Sequence, residues 1–135
     1  PLVKNETAEF ALNEQLTGLL TNTVTSDDLL PLADESAAHS ILYVTVTRIN
    51  ERPYTFDEME TVQEYRLTIS TQFRWYDNLN DTDLMTGNVS NWAAYNSDQY
   101  NSTLSPGDQV TREDAIVLAA EKVAEDLIMK LTSDW

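Results

Sequence analysis

From Glu9 to about Val24 apolar residues recur at Leu12, Leu16, Leu19, Leu20 and Val24, three or four apart, which lines them up on one side of a helix. Thr7 precedes the run with a hydroxyl able to accept a free first-turn amide, and Ser26-Asp27-Asp28 supplies a polar stop. A short strand over Leu29 to Ala33 can follow. The rhythm changes at Ile41. Through Asn50 the residues are rich in β-branched types and alternate, with Leu42, Val44 and Val46 on one side and Tyr43, Thr45 and Thr47 on the other. The longest alternation, Thr61 to Tyr76, puts Tyr65, Leu67, Ile69, Phe73 and Trp75 on a core side and Glu64, Arg66, Thr68, Ser70, Gln72 and Arg74 on a wet side. Glu51 to Glu60, with Pro53 near its start, reads as the hairpin loop that makes this strand pair antiparallel.

Asp77 to Asp83 is a polar tip. A further strand is expected on either side of a Met85-Thr86-Gly87-Asn88 turn, continuing through Trp92 to Tyr95. Asn96 to Asp108 has the composition of a mobile loop. Thr111 then stands three residues before Asp114, a capping-box spacing, and Ile116, Ala119, Ala120, Val123, Leu127 and Leu131 mark a helix running to about Thr132. Glu113 and Asp114 at its start and Lys130 near its end complement the helix dipole. A sheet wet on one face needs those helices on its other face, so the pattern predicts an α+β two-layer sandwich. Residues 1–135 are expected to form one domain, with no internal repeat.

Composition narrows the function. Eight basic against 23 acidic side chains give a net charge of -15, a field that repels phosphate backbones, so nucleic acid is not expected as a partner. Cysteine is absent, which removes disulfides and thiol chemistry from these residues. No stretch approaches the roughly 20 apolar residues of a membrane-spanning helix. His39 is the only histidine and no Gly-x-Ser-x-Gly elbow accompanies it, so it reads as structural. Gly18, Gly87 and Gly107 are too scattered to cradle a phosphate. Asp77 to Asp83 has calcium-loop composition but lacks the central glycine and the terminal bidentate glutamate, and good turn formers explain it equally. Asn5, Asn80, Asn88 and Asn101 open glycosylation-type triplets that high Asn, Ser and Thr content also explains. No catalytic, cofactor or metal constellation emerges. Trp92, Tyr95 and Tyr100 lie in a polar stretch where amphipathic rings mark interfaces.

Three segments, in order, resemble the LptE family of lipopolysaccharide-assembly lipoproteins. Pro1-Leu2-Val3-Lys4-Asn5-Glu6-Thr7 followed by Leu12-Asn13-Glu14-Gln15-Leu16-Thr17 is similar to its start, where a strand runs into the first helix. Val44 to Ile49, Arg52-Pro53 and Glu64 to Ile69 resemble its paired middle strands. Arg112 to Leu127, closing on Leu131-Thr132-Ser133-Asp134-Trp135, resembles its final helix and "L-x-S-x-W" terminus.

The resemblance implies two helices on one face of a mostly antiparallel, mixed four-stranded sheet, in the order β-α-β-β-β-α. It implies a non-enzymatic lipoprotein held on the periplasmic face of the outer membrane by a lipidated cysteine upstream of Pro1. Such a protein plugs the LptD β-barrel, assists its assembly and helps lipopolysaccharide reach the surface. Some members are thought to hold lipopolysaccharide phosphates with basic residues. Here the cations are only Lys4, Arg48, Arg52, Arg66, Arg74, Arg112, Lys122 and Lys130. Arg66 and Arg74 fall on the wet side of the long strand, and Arg48 and Arg52 are expected nearby across the hairpin. Those four, with Trp92 and Tyr95, are the candidate contacts for lipopolysaccharide or a partner. Ion pairing with the many acids is the competing expectation for the arginines. Two other classes stay open: a different periplasmic envelope-assembly binding module, and a hydrolase built on paired carboxylates.

Overall fold

A computed structural model describes residues 2–7, 9, 12–26 and 38–133. The elements are β1 (Leu2–Asn5), α1 (Leu12–Ser26), β2 (Ser40–Phe56), β3 (Val62–Asp77), β4 (Thr82–Asn96), the short α2 (Asp98–Asn101), a 3-10 turn (Pro106–Asp108) and α3 (Arg112–Thr132). The sheet order is β1-β2-β3-β4, with β1 parallel to β2 and the remaining pairs antiparallel. This is the mixed four-stranded α+β sandwich that pattern and resemblance imply. The expected strand over Leu29 to Ala33 lies outside the described residues.

The core is the interlayer between sheet and helices. Leu12, Leu16 and Leu20 of α1 and Ala115, Ala119, Ala120, Val123, Ala124, Leu127 and Leu131 of α3 pack against Leu42, Val44, Val46, Leu67, Ile69, Phe73, Val89 and Ala93. Each large side chain removed from water there contributes about 1.5–3 kcal/mol. Alanines on α3 let that helix approach the sheet closely. Its start is fixed by the expected capping box: Thr111 Oγ1 accepts from Asp114 N–H, and Asp114 Oδ2 accepts from Thr111 N–H at 2.9 Å. Thr7 Oγ1 accepts from Glu9 N–H at 3.2 Å, ahead of α1.

Three local expectations are corrected. Glu51 to Phe56 is strand, not loop; the ladder absorbs Pro53 through register shifts on either side of Thr55, and only Asp57 to Glu60 turns the chain. The Asp57 carboxylate holds that turn by accepting from Met59 and Thr61 N–H at 2.8 and 2.9 Å.

Nor does a turn interrupt β4 at Gly87, which lies opposite Phe73. A Cβ at Gly87 would sit 3.0 Å from Phe73 Cε1, so glycine here answers to the close approach of a ring and not to a bend.

The expected mobile loop after Asn96 is tied down from within. The buried Asn101 side chain accepts from Val110 N–H at 3.1 Å and donates to Val110 O at 2.9 Å, while Asn96 Nδ2 donates to Asn101 Oδ1 at 3.1 Å. Gln109 Nε2 reaches the carbonyls of Asn101 and Leu104. Buried as it is, Asn101 is not an accessible glycosylation acceptor.

Candidate functional site

The sheet face turned away from the helices is the site, and one irregularity in β2 composes it. Upstream, the even-numbered Leu42, Val44 and Val46 point into the core. Between Val46 and Arg48 the register shifts, and Thr47 becomes the extra residue of a β-bulge with its hydroxyl on Ser70 O at 3.2 Å. Beyond the bulge the parity is reversed. Ile49 faces Ile69 and packs on the core, while Arg48, Asn50 and Arg52 stand opposite Ser70, Thr68 and Arg66 on the open face. Without the extra residue the same alternation would bury Arg48 and expose Ile49. These six residues line a shallow hollow of about 380 Å³.

Among the described residues no carboxylate neutralises its cations. The ion pairs among the described residues join Arg74 to Asp83 and Arg112 to Glu9 and Glu51, so Arg48, Arg52 and Arg66 have no carboxylate partner. Arg66 instead lies over the Trp92 ring, Cζ to centroid 4.2 Å, and Tyr54 meets that ring edge-on at 5.2 Å. A guanidinium over an indole face is held by the ring quadrupole and keeps its forked donors for an incoming group. Three such cations beside Asn50, Thr68 and Ser70 can grip a phosphate or carboxylate.

The other two candidates lie elsewhere. Arg74 shares the open face, but its Nε is 2.6 Å from Asp83 Oδ1 and its Cζ lies 5.2 and 4.7 Å from the Tyr43 and Tyr76 rings. For Arg74 the ion-pairing expectation is correct; for Arg48, Arg52 and Arg66 no ion pair forms among the described residues.

Tyr95 is on the helix side, stacked on Tyr65 at 5.3 Å, with its hydroxyl donating to Glu51 Oε1 at 2.7 Å. Glu51 also accepts from Arg112 Nε at 2.7 Å, and Arg112 Nη1 reaches Glu9 at 2.9 Å. The Arg112 hydrogen bond is the main reason the Glu51 carboxyl titrates below its ordinary value. Burial first, then the bond to Glu51, pushes the Tyr95 phenol up. This network joins the segment before α1 to β2, β4 and the start of α3.

His39, exposed beside the start of β2, accepts through its carbonyl from Asn78 N–H at 2.9 Å. In the Asp77 tip the carboxylate takes the Leu79 and Asn80 N–H groups and the Asn80 side-chain amide, so the turn itself uses its oxygens. Tyr54 and Asn50 were not among the residues singled out from sequence; the alternation of the wet side, carried past the bulge, is the signal that reaches them.

A family model described as "LptE: Lipopolysaccharide-assembly" matches residues 1–131. No curated protein sequence matches the chain. Solved structures share its fold at low identity. A protein from Caulobacter crescentus is 18% identical over 97% of this chain and 88% of its own, with a TM-score of 0.62. Rare lipoprotein B from Shewanella oneidensis is 12% identical over 98% and 92%, with a TM-score of 0.62. A minor lipoprotein from Acinetobacter baumannii is 11% identical over 98% and 92%, with a TM-score of 0.59.

Proposed function

The chain belongs to the LptE, lipopolysaccharide-assembly family, and from that premise we propose that it works by binding, as the lipoprotein that fills the lumen of an LptD-type β-barrel. In this reading a lipid on an upstream cysteine anchors it to the periplasmic face of the outer membrane. It assists assembly of the barrel and the passage of lipopolysaccharide, and Arg48, Arg52, Arg66 and Trp92 meet lipopolysaccharide or the barrel wall.

The observation that carries the proposal is the cluster of three arginines without carboxylate partners among the described residues, in a chain of net charge -15. Left bare, clustered like charges cost stability; an anionic surface laid on them removes that cost. The overall negative charge does not forbid such contact, because fields decay over about 8 Å at physiological ionic strength and the local guanidinia dominate at the hollow. Arg74 and Tyr95 are assigned to structure, since their polar groups are engaged within the chain.

The test is recovery of partners by the tagged, lipidated protein from outer membranes in mild detergent, identified by mass spectrometry. A near-stoichiometric large β-barrel that survives in the parent and is lost or weakened in an Arg48→Gln/Arg52→Gln/Arg66→Gln chain supports the proposal. Periplasmic proteins without a barrel would replace it with a general envelope-assembly module.

A further inference from the structure

Among the described residues β4 is an edge strand, and its outer side carries backbone groups that a further strand could bind. Two of its carbonyls are already taken. Lys122 Nζ donates to Trp92 O at 2.9 Å and Lys130 Nζ donates to Asn88 O at 3.4 Å, both from α3. Trp92 N–H is taken as well, by Asn91 Oδ1 at 2.8 Å, and Asn91 Nδ2 is in turn held by Asp126 Oδ2 at 2.8 Å. Lys122, Asp126 and Lys130 are spaced four apart, one stripe of the helix.

The spacing is geometrically matched. Lys122 to Lys130 rises about 12 Å along a helix, and Asn88 to Trp92 spans about 13 Å of strand. Since edge residues alternate in the direction of their N–H and C=O groups, Asn88, Ser90 and Trp92 share the outward set, and the two lysines flank Ser90. We infer that the outer edge of β4 is the sheet's strand-accepting surface, and that Lys122 and Lys130 hold it shut against an extended strand, the first available being the same edge of a second copy. The charge adds to the hydrogen bonds: a strand arriving at this edge would have to displace two ammonium groups from their acceptors and desolvate them.

The inference is independent of the proposed partner, and the absence of cysteine makes it directly readable. A Ser90→Cys probe reports edge pairing, because antiparallel association centred on Ser90 brings two thiols within disulfide reach. In the parent background the probe chain stays monomeric by light scattering and oxidises slowly. With Lys122→Ala/Lys130→Ala it is expected to dimerise at high micromolar concentration and to cross-link roughly 100-fold faster, the gain in effective concentration that pre-association gives. Lys122→Arg/Lys130→Arg, which keeps the donors, restores the monomer. A folded double-alanine chain that remains monomeric and cross-links no faster overturns the inference. If the double variant does not fold, the probe in Lys122→Ala alone reads the same edge.

Discussion

Arg52 stands directly opposite Arg66 across the β2–β3 ladder, so two permanent positive charges share one open face, and only Arg66 is held by an aromatic ring. Directly opposed like charges are destabilising by a few tenths of a kcal/mol up to about 1. Arg52→Thr is therefore expected to raise stability by roughly 0.5 kcal/mol at low salt, with the gain fading near 1 M salt, where the screening length falls to about 3 Å. Urea unfolding at the two salt concentrations measures it. A loss of stability at low salt would mean that the Arg52 stem packs more than its charge repels.

Gly87 admits the Phe73 ring, and the ring is itself buried. Gly87→Val adds two methyl groups beyond the Cβ and should destabilise by about 1–3 kcal/mol, the usual cost of overpacking. A denaturation midpoint unchanged from the parent would show that Phe73 can retreat.

Asn101→Ala removes the acceptor of Val110 N–H and of the buried Asn96 amide. The expected loss is roughly 2 kcal/mol, within the range for buried polar groups left unmade. Hydrogen exchange at Val110 should rise together with that loss.

Glu51 titrates below the ordinary glutamate value, chiefly through its hydrogen bond with Arg112. A depressed carboxylate contributes stability that is complete above the unfolded value and is lost as pH falls through the folded one. The parent should therefore lose stability on acidification below about 4.5, and Glu51→Gln should lose less over the same interval. Parallel acid titrations of unfolding free energy would refute this if the two slopes coincided.

How much was legible depended on whether a signal was local. The Thr111–Asp114 box and the apolar stripe of α3 are contained within a few residues each, and the helix forms where they indicate. The arginine hollow was half legible. Arg66 follows directly from alternation along β3, but Arg48 and Arg52 reach the same face only because Thr47 is extruded, and a bulge is decided by pairing with a strand more than twenty positions away. Gly87 carried a turn signal whose meaning was reversed by the Phe73 ring opposite, and polar composition after Asn96 concealed a side chain that bonds both backbone groups of Val110. In each case a contact distant in sequence overrode a local propensity.

The parallel pairing of β1 with β2 sets an order of events. β2, β3 and β4 are joined by tight turns and can zip as a meander, whereas Leu2 reaches its place opposite Tyr43 only after the intervening chain, with all of α1, has been closed into a loop. Loop closure of that length is slow relative to hairpin formation and is favoured only once a surface exists to receive it. The meander and α3 are thus the template, and β1 and α1 dock onto it last, which pulse-labelled exchange would register as late protection of the backbone amides of Val3 to Asn5.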